Sequence, residues 1–439
     1  MNWTPELRDF IQEHINDDTA ELLLAARKYP GIDVPFVVEQ IEARRRLKGK
    51  LPEWYGNADL IMGGRVPAEQ CSSEVTAKYK QNIVKGESLC DMTGGMGVDF
   101  WYMSERMERA VYTERNAALC EIARYNFQVL KDEKHPEVEV RCGDGRELPI
   151  PSVDVIYLDP ARRADDGSRV YAMEDCEPNI VEWQDELLQH AKTVLVKLSP
   201  MVDLTDVLRK LKGVQEIHIV AVKNECKEVL VKQEETLPSP SLQGGGNISA
   251  NEGTNGETDE QGNHSLPVGK VKGEPSVRGG SVVIHCVDFV GENTLHYTTN
   301  FPDGMGVSVL KEGVKRYLYE PDVTLMKAQL FGSLCHYFSV CQLDYDTHLM
   351  TSDEFIPDFP GRIFEVEEKI PFSSKVLKGL KKAISQANIA TRNFVLTADE
   401  LRKKAGIKDG GEVYLFGAKV KDVGQMLLKC RKKVVTSHP

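Results

Sequence analysis

Leu89-Cys90-Asp91-Met92-Thr93-Gly94-Gly95-Met96-Gly97-Val98-Asp99 decides the fold. An acid closes a short β-rich run, glycines make a turn, and apolar residues open a helix. That order is a nucleotide-binding geometry, because glycines let a ligand lie against bare backbone beside the acid. A dinucleotide site would need GxGxxG and a P-loop would need GxxxxGK[ST], and neither is present. An acid ahead of the glycines suits a ligand with a positive group near the turn.

Working outward, short β-rich runs alternate with helical stretches from about Asp59 to Gln233, which predicts a parallel α/β sheet. The expected strands are Ser88–Asp91, Ala110–Glu114, Val138–Cys142, Val153–Leu158, Thr193–Leu198, Glu216–Val222 and Glu228–Lys232. Glu114 ends the second, 23 residues after Asp91 and near the spacing at which an acid meets ribose hydroxyls. Asp144 follows the third, where it can take an adenine amino group, and Asp159 follows the fourth. Any one of these acids can be a plain cap. Four in sequence order, at the sheet edge where open α/β folds bind ligands, are too many for chance caps and suit a ligand with a positive group, such as the methionine ammonium of S-adenosylmethionine.

The flanks differ in material. Thr4-Pro5-Glu6 reads as a helix start, and Asp18 and Asp33 can cap two more helices, so residues 1–58 are expected to be helical. Arg44-Arg45-Arg46 can touch RNA but reads more simply as a helix face in water. Residues 236–280 hold 10 glycines and no aromatic, too little apolar surface to offset ordering, and predict a disordered insertion. A small αβ unit is expected over 281–320 and a final domain over 321–439, with the sheet domain at 59–235.

At 439 residues the chain is too long for one typical core. The opening Met1-Asn-Trp-Thr-Pro-Glu lacks a secretory pattern, no apolar run is long enough to span a membrane, and the ten cysteines include no CxxC pair. A reducing cytoplasm is expected, with no membrane and no metal. The net charge of -12 hides an asymmetry: Lys369 to Lys433 carry 16 basic against 5 acidic residues, leaving 39 against 62 elsewhere. A basic end on an acidic body suits one module that meets phosphate.

The segment Asp91 to Asp99, with Glu114-Arg115-Asn116 and Tyr157-Leu158-Asp159-Pro160, resembles class I S-adenosylmethionine-dependent methyltransferases. It is similar in particular to bacterial small-subunit rRNA guanine-N2 methyltransferases. Over its length the chain resembles bacterial methyltransferases with a C-terminal THUMP-like domain. Gln70-Cys-Ser-Ser-Glu74, Asp159-Pro-Ala-Arg-Arg163, Lys197-Leu-Ser-Pro200 and Pro360-Gly-Arg362 carry that likeness. The resemblance implies a seven-stranded Rossmann-like α/β sheet, an N-terminal helical region, and ferredoxin-like and THUMP-like α+β domains at the end. It implies that Asp91, Thr93, Gly95 and Gly97 hold the methionine end, Glu114 the ribose and Asp144 the adenine. Gln70 and Ser72 would lie in a lid, although Ser72 or Ser73 can equally cap a helix.

Amino methyltransferases of nucleic acid carry (D/N)PP(Y/F) after the fourth strand. An exocyclic amine has its lone pair delocalised, so a carboxylate and a carbonyl must hold both N–H bonds to free it. Asp159 and the Pro160 carbonyl can supply these. Ala161 and Arg162 depart from the motif, which leaves the target atom open. Arg162 and Arg163 can stack on a base, grip phosphate, or pair with Asp165, Asp166 or Glu174, and Tyr171 can restore a stacking face. No cysteine follows the fourth or fifth strand directly, which argues against carbon-5 methylation of pyrimidines. Lys375, Lys378, Lys381, Lys382, Arg392, Arg402, Lys403 and Lys404 are the candidate contacts to rRNA or tRNA, with guanine N2 the favoured atom. A methyltransferase of a small molecule or protein, and a non-catalytic RNA-binding protein, are the alternatives.

Overall fold

The computed structural model describes residues 3–162, 173–235, 264–265, 282–291, 293–301 and 304–434. The seven expected strands form: β1 (Ser88–Asp91), β2 (Arg109–Glu114), β3 (Val138–Cys142), β4 (Val153–Leu158), β5 (Ala191–Leu198), β6 (Val214–Val222) and β7 (Cys226–Glu234). The chain divides into two compact units, Met1–Gln215 with Glu228–Gly245, and Glu216–Lys227 with Gly246–Pro439.

In the first unit the strands run in the order β7-β5-β4-β1-β2-β3. Neighbours from β5 to β3 pair in parallel, and β7 runs antiparallel to β5. Parallel strands are covered on both faces, which is why Leu89-Cys90, Val155 to Leu158 and Val194 to Val196 read as continuous apolar runs and are buried. Crossover helices such as Ala117–Leu130 and Ile180–His190 return the chain to the same starting edge. All carboxyl ends of β1 to β5 therefore share the opposite edge, where the four acids lie.

The N-terminal part is helical as its caps predict. Thr4, Asp18 and Asp33 accept backbone N–H bonds at the starts of Pro5–Glu13, Thr19–Leu24 and Val34–Leu47. Leu7, Ile11, Leu22, Val34, Val37 and Ile41 pack these helices together. The arginine run that ends the third helix divides. Arg44 is buried and donates to the carbonyls of Asn57, Ala58 and Leu60, Arg45 donates to that of Ile15, and Arg46 pairs with Glu69. These guanidiniums tie loops to the helix, with Arg44 in the core.

In the second unit β6 pairs in parallel with β8 (Val282–Val290), which is antiparallel to β9 (Asn293–Phe301). Of the insertion expected over 236–280, all but residues 264–265 lie outside the described residues, and His264–Ser265 pairs with Tyr297 and Thr298. A second sheet follows from β10 (Tyr317–Pro321), β11 (Cys341–Asp344), β12 (Thr347–Ser352), β13 (Gly361–Pro371), β14 (Gln386–Arg392), β15 (Lys408–Val420) and β16 (Gly424–Lys432), in the order β11-β12-β10-β13-β16-β15-β14. Helices Ser374–Ala383 and Ala398–Ala405 cover it through Leu380, Ile384, Leu401, Ala405 and Leu427. Among the described residues no helix is long and apolar enough to cross a membrane.

Candidate functional site

Each turn after a strand is tied to the end of its neighbour. The Met92 amide donates to the Tyr157 carbonyl at 3.1 Å, Gly94 to Thr113 at 2.8 Å, and Gly143 to Glu114 at 2.9 Å. Backbone bonds thus hold the ends of β1 to β4 in one row, with Asp91 and Glu114 closing β1 and β2, and Asp144 and Asp159 just beyond β3 and β4.

The glycine turn is shaped by space as much as by dihedral angle. Gly97 has φ +76°, which a side chain rarely adopts, and it precedes the helix Val98–Ser104. Gly94 lies where an added Cβ would fall 2.3 Å from the Tyr112 ring. That tyrosine is fully buried and donates from its hydroxyl to the Gly95 carbonyl at 2.5 Å. Glu114 completes the turn: its Oε2 accepts from the Gly95 amide and its Oε1 from the Asn116 amide, both at 2.7 Å.

Thr93 joins two of the acids. Its amide and hydroxyl donate to Asp91 Oδ1 at 2.8 and 3.3 Å, and its Oγ1 accepts from the Asp159 amide at 2.7 Å. Asp91 is only 2 % exposed. Burial pushes its carboxyl well above the usual range, and Asp99, Asp159 and Glu114 push the same way against the Thr93 amide. A buried acid among acids fits a cationic ligand, whose charge relieves both burial and repulsion.

Asp159 has a partner that sequence reasoning did not assign. Lys197 Nζ, at the end of β5, lies 2.5 Å from Asp159 Oδ2, 3.3 Å from Ser72 Oγ and 3.7 Å from Asp99 Oδ2. Asp99 Oδ2 also accepts from the Ser72 and Tyr157 hydroxyls at 2.7 and 2.8 Å. Lys80, fully buried, reaches Asp99 Oδ1 at 3.1 Å and Glu228 Oε1 at 2.6 Å. Burial by itself would lower the Lys197 ammonium, but Asp159, Asp99 and Glu228 overcome it and raise it above its ordinary value. Burial would likewise raise Asp99, yet Lys80, Lys197 and the two hydroxyls hold it below. Glu228 is raised, by burial first.

Ser72 therefore belongs to this buried network, while its neighbour Ser73 caps the helix Glu74–Ile83. Gln70 is exposed at the end of the short helix before them. Pro160 is buried, and Ala161 and Arg162 pair through the backbone with Glu177 and Cys176. Arg163, Asp165, Asp166 and Tyr171 lie outside the described residues. Glu174, one of the expected arginine partners, is engaged by Lys210 at 2.8 Å.

In the second unit Lys375, Lys378, Lys381 and Lys382 are exposed on the helix Ser374–Ala383, and Lys403 and Lys404 are exposed on Ala398–Ala405. Arg392 is turned to a different task. With Arg362 it grips the buried Glu320, at 2.7 Å from Oε1 and 2.6 Å from Oε2 respectively.

Comparison with known proteins identifies the C-terminal domains and relatives of the whole chain. A ferredoxin-like domain model matches residues 317–360 and a THUMP domain-like model matches 361–432. The crystal structure of a protein of Porphyromonas gingivalis W83, assigned to the methyltransferases, is 33% identical in sequence, covers 98% of each chain and superposes with a TM-score of 0.79. An uncharacterized S-adenosylmethionine-dependent methyltransferase of Mycobacterium tuberculosis (strain H37Rv) is 22% identical over 382 residues, 86% of this chain and 90% of that one.

Proposed function

The chain belongs to the class I S-adenosylmethionine-dependent methyltransferases that end in ferredoxin-like and THUMP-like domains, and from that membership we propose that its acceptor is an exocyclic amino nitrogen of rRNA or tRNA, guanine N2 foremost. The observation that carries this reading is the Asp159 carboxylate, which is held by Lys197 yet keeps 39% of its side chain accessible. The bound cofactor supplies a methyl group on a sulfonium, an activated leaving group that needs no metal. Asp159 accepts one N–H of the amine and the Pro160 carbonyl the other, so that the lone pair is turned out of conjugation. Lys197 holds one Asp159 oxygen and so fixes the direction of the carboxylate.

Asp91, Thr93 and the turn Gly95 to Gly97 are assigned to the methionine end. Glu114, whose oxygens each retain a second lone pair, takes the ribose, and Asp144 takes the adenine. Gln70 and Ser72 are assigned to a segment that would cover the cofactor. The RNA assignment is supported by the THUMP domain-like match and the exposed lysines, with Lys381 and Lys382 as docking residues; Arg162 and Arg163 are the further candidate substrate contacts. Ten free thiols suit a reducing cytoplasm.

The test is transfer of labelled methyl to RNA from cells lacking the protein, digested to nucleosides, beside the Asp159→Ala variant. Label in N2-methylguanosine that disappears in the variant is expected. Label in another nucleoside overturns the atom, and no label in RNA, with cofactor binding intact, overturns the substrate.

A further inference from the structure

We propose that Glu216, His218 and His285 bind one first-row transition-metal ion of the zinc type. None of these residues takes part in the site described above, and no ligand spacing in the sequence announces them. Strand register brings them together.

His218 on β6 and His285 on β8 are directly paired across the parallel ladder, and their rings stack with centroids 4.4 Å apart and planes 8° from parallel. Side chains alternate along a strand, so Glu216, two residues before His218, shares its face. On the other side of β8, Thr298 is paired with His285, and His296 lies two residues away on the same face.

The donor atoms converge. Glu216 Oε2 is 3.2 Å from His218 Nε2 and 3.8 Å from His285 Nε2, and one ligand atom from each residue lies within 4.8 Å of the others. Zinc bonds of about 2.0–2.2 Å in tetrahedral array put ligand atoms about 3.3 Å apart. The Glu216–His218 pair already has that separation, and His285 joins it when its ring turns out of the stack. Two imidazoles and one carboxylate suit zinc and its neighbours better than calcium or magnesium, which prefer all-oxygen sets. Among the described residues, Glu216, His218 and His285 supply three ligands.

The surroundings fit a ligand role. His285 Nδ1 lies 3.2 Å from His296 Nε2 and 3.1 Å from Thr298 Oγ1, groups that fix the ring while Nε2 faces the ion. His218 is 2 % exposed, whereas the Glu216 side chain keeps 30% of its surface, which leaves the ion a way in.

The experiment titrates the full-length, chelator-treated protein with zinc by calorimetry and with cobalt by absorption spectroscopy. One zinc per chain is expected, with a cobalt spectrum of visible ligand-field bands and no near-ultraviolet sulfur-to-cobalt band. Glu216→Gln, a near-isosteric change at a half-exposed position, and His285→Gln should each weaken zinc binding about 10-fold or more. They should also abolish the zinc-induced rise in melting temperature. Circular dichroism of Glu216→Gln checks that it remains folded. Absence of saturable zinc binding, equal binding by wild type and Glu216→Gln, or a sulfur-to-cobalt band would each overturn the proposal, leaving a hydrogen-bonded histidine stack.

Discussion

Lys197 Nζ and Asp159 Oδ2 lie 2.5 Å apart, joining the ends of β5 and β4 across adjacent strands. The lysine is nearly inaccessible and the aspartate is not. The pair thus has a rigid buried half and a presented half, as a group that must hold a substrate hydrogen bond in one direction requires. On the proposed function, Lys197 would be a positioning residue that acts through Asp159.

Lys197→Met should lower kcat about 100-fold, the scale of a misplaced reacting group, while cofactor affinity changes little. Lys197 also meets the buried Asp99, so melting should be followed alongside turnover. The decisive measurement is the double variant with Asp159→Ala. If Lys197 works through Asp159, the double variant loses no more turnover than Asp159→Ala alone. Additive losses would give Lys197 a separate role.

Asp91 should make cofactor binding depend on pH. Its carboxyl in the free protein is raised by burial and by neighbouring acids. A cation beside it lowers that value, so binding must release a proton, and affinity must rise with pH between the bound and free pKa values. Calorimetry in buffers of different ionisation enthalpy reads the release, and Asp91→Asn should abolish it. In the free protein a raised acid destabilises the fold as pH rises above its unfolded value. Asp99, held below its ordinary range, contributes stability above its unfolded value and loses it as pH falls through the folded one. Proton uptake on binding would contradict the placement of the ligand cation.

Gly94→Ala and Gly379→Ala should act in opposite directions. The first puts a methyl against the buried Tyr112 ring and disturbs its bond to Gly95, an overpacking cost of about 1–3 kcal/mol with weakened cofactor binding. The second lies in the helix Ser374–Ala383 with open space around it, and alanine there should stabilise by about 0.5–1 kcal/mol. Denaturant midpoints compare the two. A neutral Gly94→Ala would show that the turn yields easily.

RNA binding should weaken steeply with salt. Lys375, Lys378 and Lys382 follow one helix face, opposite Leu377, Leu380 and Ile384. Replacing all three with glutamine should reduce the slope of log affinity against log salt by about 2. Arg392→Gln, by contrast, should leave that slope unchanged and lower the melting temperature, because Glu320 loses a partner. An unchanged slope in the triple variant would remove this helix from the docking surface.

Local chemistry made much of this legible in the chain itself. Thr4, Asp18 and Asp33 announce their helices because capping is satisfied within four residues. The row of acids is equally readable, since an acid at a strand end followed by a glycine turn is a local pattern and parallel strands must end at one edge. Tertiary structure alone decided which charges are buried and with whom. Ser72 meets Lys197 across 125 residues, and Arg392 meets Glu320 across 72. In sequence Lys80 looks like any helix-surface lysine, and Arg44 like part of a solvated basic run, yet both are buried. A charged side chain enters a core only where distant segments bring carboxylates or carbonyls to meet it, and no local period records that meeting. The Glu216–His218–His285 cluster has the same origin, in the register of one strand against another.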